Sequence, residues 1–326
     1  MAVKDKLTEL FEQNRGKYLS GEEIAKTLGC SRNAVWKSVK GLQESGYKIS
    51  AVTNKGYCLE EDTDVISETG IKKYLNDKSK ELDIKVYRQL ESTNLTLRDF
   101  ANNGAGQGLV VISGEQTKGR GRLGRSFFSP SDTGLYMSIL LRPEMIARDA
   151  VKITTAAAVS VAEAVEKVSS LETKIKWVND IYLNNKKICG ILTEASFNME
   201  MGGLEYAVLG IGVNAYEPEN GFPDDIKNVA GAVFTKREND IRNRLAGEIL
   251  NSFSKYYAEL NDNTFYDGYK SRLMWIGEKI NLISAGKSTP ATLLDVDKDC
   301  RIICEYENGE KGLISSGEIS IRKKAD

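Results

Sequence analysis

Four short runs in this 326-residue chain carry side chains whose types and spacing suit chemistry. The densest is Gly114-Glu115-Gln116-Thr117-Lys118-Gly119-Arg120-Gly121-Arg122-Leu123-Gly124-Arg125. Three arginines and a lysine so close together repel one another and cannot be buried without anions. The glycines between them let the backbone approach a ligand. Guanidinium forks and free amides are what a phosphate-gripping loop requires. No Gly-Lys-Ser/Thr follows, so this is not a Walker loop. The other reading is an RNA-binding arginine-glycine segment, although such segments are longer and disordered, whereas this one sits between two expected strands. A second run, Glu91-Ser92-Thr93-Asn94, offers hydroxyls and an amide for a neutral polar head group, or else only a helix N-cap. The third and fourth are Lys176-Trp177-Val178-Asn179-Asp180-Ile181-Tyr182 and Lys186-Lys187-Ile188-Cys189-Gly190-Ile191-Leu192. A lysine opening a strand and aimed into a pocket could hold a carboxylate and the phosphate it attacks. Two adjacent lysines after Asn184-Asn185 could equally be a solvated turn.

One absence narrows the chemistry. The chain has no histidine, which excludes Ser-His-Asp hydrolysis, Cys-His proteolysis and His-ligated zinc. The five cysteines at 30, 58, 189, 300 and 304 are expected to be reduced thiols. Cys300 and Cys304, placed on one face of a strand, read as two buried thiols rather than half a metal clip. Catalysis is left to lysine, arginine, carboxylates, backbone amides and a carried metal, with no metal site of the protein's own expected.

The elements that must position these groups fall into three segments. In the first, Val3, Leu7, Leu10 and Phe11 mark a helix, Ser20 with Glu23 opens a second through a capping box, and Ser31 caps a third with Val35, Val39 and Leu42 inward. Lys48–Val52 and Tyr57–Leu59 then flank the turn Thr53-Asn54-Lys55-Gly56. Three helices and a hairpin make a winged helix-turn-helix whose third helix would enter a major groove. Ser31, Arg32, Asn33, Lys37, Lys40 and the wing's Lys55 are the candidate DNA contacts. Residues 1–60 hold ten Lys+Arg against seven Asp+Glu, so this head is +3 in a chain of net charge −1. From about Asp64 the pattern is α/β, with strands expected at Ile84–Gln89, Leu109–Gly114, Leu135–Leu141, Lys174–Trp177, Ile188–Ala195 and Tyr206–Val213. Helices are expected at Asn94–Asn102, Arg148–Val168 and Arg237–Leu260. After Trp275, short runs at Lys279–Ile283, Ala291–Val296, Ile302–Tyr306 and Lys311–Ile314 predict a small SH3-like barrel without chemistry of its own. The expected division is 1–62, 63–272 and 273–326. With no apolar signal after Met1-Ala2-Val3 and no run of the roughly 20 residues that span a bilayer, a cytoplasmic protein is expected. The longest apolar stretch, Ile153 to Val165, reads as an amphipathic helix.

Together these residues resemble the bifunctional biotin-protein ligases that double as biotin operon repressors. The resemblance rests on the winged head, Ser92-Thr93-Asn94, Gln116 with Gly119 to Arg125, the Lys-Trp-x-Asn-Asp block, Lys187 before Ile-Cys-Gly, and Gly210-Ile211-Gly212-Val213-Asn214. It implies a class II synthetase-like α/β (α+β) ligase domain between the winged head and the SH3-like barrel. The implied substrates are biotin and ATP with Mg2+, joined as biotinyl-5'-AMP. The acceptor would be a lysine of the biotin carboxyl carrier protein of acetyl-CoA carboxylase or another biotin enzyme. Operator DNA and a homodimer formed on biotinyl-AMP or DNA are the other implied partners, and no membrane is. Ser92, Thr93, Asn94 and Gln116 would hold the biotin head group, with Arg120, Gly121, Arg122 and Lys187 at its carboxylate. Lys187, Arg122 and Asp180 would be catalytic, Asp180 serving the acceptor lysine or the magnesium-nucleotide. Arg122, Arg125, Phe127, Asn179 and Asn214 would meet the nucleotide.

Two positions depart from the family pattern. Val178 stands where proline is usual, and Phe127, followed by Phe128, stands where a tryptophan often covers the adenine. The competing readings are a biotin-sensing regulator without ligase activity and a lipoate ligase.

Overall fold

The computed structural model describes residues 3–198, 202–237, 239–284, 286–315 and 320–323, so Met1 and Ala2 lie outside it. By contacts the chain forms two compact units, one of residues 1–75 with 236–247 and one of 76–235 with 248–326.

In the first unit α1 (Val3–Gln13), α2 (Gly21–Leu28) and α3 (Arg32–Glu44) precede the hairpin β1 (Ile49–Val52) and β2 (Gly56–Leu59). Ser20 and Ser31 each accept a backbone N–H three residues on, from Glu23 at 3.0 Å and Ala34 at 3.2 Å, which starts α2 and α3. The helical stripes meet in a core of Leu7, Phe11, Ile24, Val35, Val39, Leu42 and Leu59. Each such side chain stabilises the unit by about 1.5–3 kcal/mol. The wing is tied to the segment before α2 by reciprocal 2.9 Å bonds between Leu19 and Tyr57. Only glycine fits at 56, because φ is +98° and a Cβ there would lie 2.1 Å from the Leu19 carbonyl oxygen.

A short α4 (Glu68–Lys72) follows, and the unit contains a buried ionic cluster. Asp240 accepts from Arg15 at 2.9 Å, from Lys73 at 2.6 Å and from the Tyr74 hydroxyl at 2.8 Å. Glu12, whose side chain is fully buried, is shared by the same Arg15 and Lys73.

The second unit holds a seven-stranded sheet with four helices around it. Its elements are β3 (Asp83–Tyr87), α5 (Thr93–Asn102), β4 (Leu109–Ser113), β5 (Gly134–Leu141), α6 (Val151–Ser169), β6 (Lys174–Lys176), β7 (Asp180–Leu183), β8 (Lys186–Asn198), β9 (Gly203–Asn214), α7 (Ile241–Ala258, counted here from Glu248) and α8 (Tyr266–Arg272). The strand order is β3-β4-β5-β9-β8-β7-β6, parallel only between β3 and β4. The expected strands and helices are all present with shifted ends. What the sequence reading missed is β7, which turns Lys174–Leu183 into a hairpin around Trp177-Val178-Asn179, with a cis peptide between Trp177 and Val178.

α6 corrects a second expectation. It is not amphipathic: every residue from Thr155 to Ala162 is buried, so the helix is internal. Its polar residues are accommodated because Thr155 and Ser160 return their hydroxyls to the carbonyls of Val151 and Ala156, at 3.1 and 2.8 Å.

The C-terminal strands β10 (Lys279–Ser284), β11 (Lys287–Val296), β12 (Ile302–Tyr306), β13 (Lys311–Ile314) and β14 (Ser320–Lys323) form one antiparallel sheet. The order is β13-β12-β11-β10-β14: the small five-stranded β domain expected is present, and among the described residues no pairing joins β13 to β14 to close it. Cys300 is not on a strand with Cys304; it lies in the turn before β12 at φ +60°, buried, with its thiol 3.3 Å from the Thr155 hydroxyl.

Candidate active site

Beside the large sheet, a cavity of about 660 Å3 opens between the β3–α5 junction, the arginine-glycine loop, the β6–β7–β8 edge and the 222–230 segment. Its floor is made by missing side chains. Gly190 on β8 and Gly210 and Gly212 on β9 face it, and a Cβ at 212 would lie 2.6 Å from the Phe127 ring.

At one end the Ser92-Thr93-Asn94 triplet is buried to within 5% exposure. Ser92 occupies the N-cap position of α5 yet makes no capping bond with its side chain, so the N-cap role does not account for its hydroxyl. Thr93 donates its N–H and hydroxyl to Gln116 Oε1 at 2.9 and 3.1 Å. The Ser138 hydroxyl lies 2.7 Å from Thr93 Oγ1 and 2.6 Å from Asn94 Oδ1. The Gln116 amide reaches Ser129 Oγ at 3.1 Å. The result is a rigid array of uncharged donors and acceptors, whose bonds in a low-dielectric setting specify one arrangement.

The arginine-glycine loop is a tight hairpin beside that array. Phe127 N–H bonds to the Gly119 carbonyl at 2.9 Å and Gly121 N–H to the Arg125 carbonyl at 2.7 Å. Its tip turns through Leu123 at φ +56° and Gly124 at φ +72°. Arg122 donates to Asn179 Oδ1 at 3.1 Å, and Asn179 in turn donates to the Ile191 carbonyl at 2.7 Å. Burial lowers the Arg122 pKa, with Asp180 opposing the shift. Lys187, at the start of β8, pairs with Asp180 on β7 at 2.6 Å. Behind them burial lowers the pKa of Lys176, partly offset by Asp180 and reinforced by Lys187.

Seven basic side chains line the cavity against two acidic ones. Such an excess in a partly desolvated cleft focuses a positive potential suited to a polyanion. A neutral hydrogen-bonding pocket and a cationic grip thus share one space, as needed to bring a small polar molecule to a phosphate.

The structure gathers Ser92, Thr93, Asn94, Gln116, Arg120, Gly121, Arg122, Arg125, Phe127, Asn179, Asp180 and Lys187 around this cavity. Asn214 is not brought there; it lies at the end of β9 and donates its amide to the Gly231 carbonyl at 3.0 Å. Sequence reasoning missed Ser138, Lys176 and Glu194. It also missed Trp275 and Arg322, two cavity-lining residues from a segment read as chemically silent. Lys176 was within a quoted motif, but nothing in the one-dimensional pattern brings residues 275 and 322 to it.

In the head, Arg32, Asn33, Lys37, Lys40 and Lys55 are exposed, and Ser31 is used as the cap of α3. Two exposed aromatics join them: Trp36 with Lys40 Nζ 4.6 Å from its ring, and Tyr18 with Lys55 Nζ at 5.8 Å.

The family model for the biotin/lipoate A/B protein ligase family matches residues 86–214, and that for an HTH domain matches residues 4–58. Bifunctional ligase/repressor BirA of Bacillus subtilis (strain 168) is 32% identical over 321 residues, covering 96% of this chain and 97% of that protein. Bifunctional ligase/repressor BirA of Salmonella typhimurium (strain LT2) is 27% identical over 94% of each chain. Among solved structures, the biotin protein ligase from Aquifex aeolicus in complex with biotin and ATP has a TM-score of 0.62 at 25% identity, covering 74% of this chain and 99% of that one.

Proposed function

This chain belongs to the family of the bifunctional ligase/repressor BirA, and on that premise we propose a division of labour among its residues. It is a biotin-protein ligase that uses ATP, and its helix-turn-helix head makes it a DNA-binding repressor as well. The observation that carries the assignment is the shared cavity, in which the Ser92-Thr93-Asn94-Gln116 array and the cationic loop with Lys187 lie together.

Biotin's ureido ring is bound by the array, and its carboxylate points to Arg120, Arg122 and Lys187. The carboxylate oxygen attacks the α-phosphate of ATP, the bond to the β-phosphate breaks, and pyrophosphate leaves. Lys187 and Arg122 meet the charge that builds on the α-phosphate oxygens, which is where fixed cations accelerate most. Arg125 and Phe127 lie against the nucleotide. The acceptor lysine amine then attacks the acyl carbon of biotinyl-5'-AMP, AMP departs, and Asp180 is placed to orient that amine or the magnesium-nucleotide. Mg2+ would enter with the triphosphate, and Asp180 and Asp225 are the carboxylates of the cavity lining that could meet it.

The acceptor is a biotin carboxyl carrier protein of acetyl-CoA carboxylase or of another biotin enzyme. Operator DNA is met by α3 and the wing, by a homodimer that biotinyl-AMP favours. The location is the cytoplasm, where ATP and reduced thiols are available.

Titration calorimetry with biotin, with and without ATP and Mg2+, together with mass spectrometry for biotinyl-AMP, tests the reading. Tight biotin binding with accumulation of the adenylate is expected, and Lys187→Ala should slow adenylate formation by about a hundredfold or more. Binding without adenylate would leave a sensor in place of a ligase. Preferential binding of lipoate would overturn the substrate.

A further inference from the structure

α3 turns Val35, Val39 and Leu42 into the core of the head and leaves Arg32, Asn33, Trp36, Lys37 and Lys40 exposed. Trp36 is at the centre of that outer face, four residues after Arg32, three after Asn33 and four before Lys40. The other four side chains are cationic or carry an amide, as suits a helix bound for a polyanion. Trp36 serves neither that purpose nor the core, for its large ring is 46% exposed and pays for hydration that a polar residue would not incur. The head's other exposed aromatic is already employed. The Tyr18 hydroxyl meets Ser50 Oγ on β1 at 3.1 Å, which ties that ring to the wing beside Lys55.

We propose that Trp36 is a specificity-determining residue that reads thymine: with α3 in a major groove, its indole packs against the 5-methyl group of one thymine. Trp36 is the fifth residue of α3, in the part of a helix-turn-helix recognition helix that meets base edges. An uncharged ring gains little from a phosphate, and thymine alone offers an apolar group on the major-groove edge of the bases. Lys40 Nζ stands 4.6 Å from the ring centroid, a cation–π contact that steadies the indole before DNA arrives and lowers the entropy lost on contact. Labour on this face is then divided. Lys37, Lys40 and the wing's Lys55 hold phosphates and give affinity that falls with salt, whereas Trp36 adds an increment that salt does not change. The inference rests on the reading of α3 as the helix that enters the groove.

The test uses the full-length protein with biotin and ATP, and a duplex that it selects from a random library. Each thymine of that duplex is replaced in turn by deoxyuridine, which removes the methyl group alone, and binding of the wild type and of Trp36→Ala is read by fluorescence anisotropy. At least one replacement should weaken the wild type about fourfold, the worth of one buried methyl. The same replacement should change the affinity of Trp36→Ala by less than about 1.5-fold, because the methyl has already lost its partner. Trp36→Ala should keep the wild-type slope of log affinity against log salt. It should also bind an unrelated duplex within about twofold of the wild type, which reports an intact head.

A scan in which no deoxyuridine weakens the wild type, or in which each weakens both proteins equally, would overturn the proposal, as would a salt slope that falls with the tryptophan. Selection that enriches no duplex at all would instead bring down the groove reading of α3, and the proposal with it.

Discussion

Adding one methyl group at Gly210 should be among the most damaging small changes to this protein. Gly210 lies in β9, in register with Ser138 of β5 on one side and Leu192 of β8 on the other, so its backbone cannot recede. An alanine Cβ would lie 2.2 Å from Asn94 Oδ1, 2.9 Å from its Cγ and 3.0 Å from its Nδ2. Relief requires the Asn94 amide to swing away, which breaks its bonds with Ser138 and Glu194. The bond with Ser138 is worth about 1 kcal/mol net and the one to the Glu194 carboxylate about 1.5–3 kcal/mol, while the wholly buried Ser138 hydroxyl keeps Thr93 Oγ1 as a partner. Gly210→Ala should therefore cost about 3 kcal/mol. At about 2–4 °C per kcal/mol for a unit of this size, that lowers the melting temperature by roughly 6–12 °C. Because the displaced amide belongs to the biotin array, biotin affinity should fall by more than about tenfold as well. Circular-dichroism melts and biotin titration on the same preparation measure both. A variant that melts within about 1 °C of the parent and binds biotin equally well would refute the packing argument.

Gly212→Ala meets the Phe127 ring edge instead, at 2.6 Å, the far end of a side chain rather than backbone. It should cost under about 1 kcal/mol in stability while slowing adenylate formation, which a melt and a rate measurement separate. Lys176 titrates below its ordinary 10.5 because burial disfavours its charge, and a nucleotide's phosphates would raise it again. ATP affinity should thus be full below the depressed value and fall as pH rises through it, a slope that Lys176→Met should flatten in pH-resolved calorimetry. Asp240→Ala takes from Arg15 and Lys73 one of the two carboxylates they share, Glu12 remaining, and should destabilise the first unit by about 3 kcal/mol in urea unfolding. In the head, Lys37→Ala or Lys40→Ala should each reduce the slope of log affinity against log salt by about 1 on operator DNA, measured by fluorescence anisotropy.

The sequence disclosed the chemistry better than the geometry. Arg120, Arg122 and Arg125 among glycines are conspicuous because like charges are seldom clustered without an anion, and Ser92-Thr93-Asn94 stood out once a ligand was in view. The head was legible because its stripes of Val35, Val39 and Leu42 and its serine caps are local signals. Groups supplied from a distance were not legible. Ser138 and Glu194 look like ordinary strand residues until the pairing of β5, β9 and β8 brings them beneath Asn94. Trp275 and Arg322 line the cavity from far along the chain. α6 was misread because a local period cannot distinguish a serine facing water from one bonded to its own helix. β7 escaped notice because four residues beside a turn give too short a pattern to read.

The internal position of α6 bears on how this protein can be taken apart. A helix buried around its circumference has no stable existence before its neighbours are in place. Here those neighbours come from widely separated stretches: β8 and β7 on one part of its surface, α8 on another, and the Cys300 turn, whose thiol meets Thr155 and whose carbonyl accepts the Trp177 indole N–H at 3.0 Å. The C-terminal sheet is thus not an appendage to be trimmed. Shortening the chain before residue 300 would open the flank of the helix and unseat the tryptophan that anchors the Lys176–Asp180 hairpin. Minimal versions of the catalytic half would accordingly be made by removing residues from the front of the chain, with its tail kept whole.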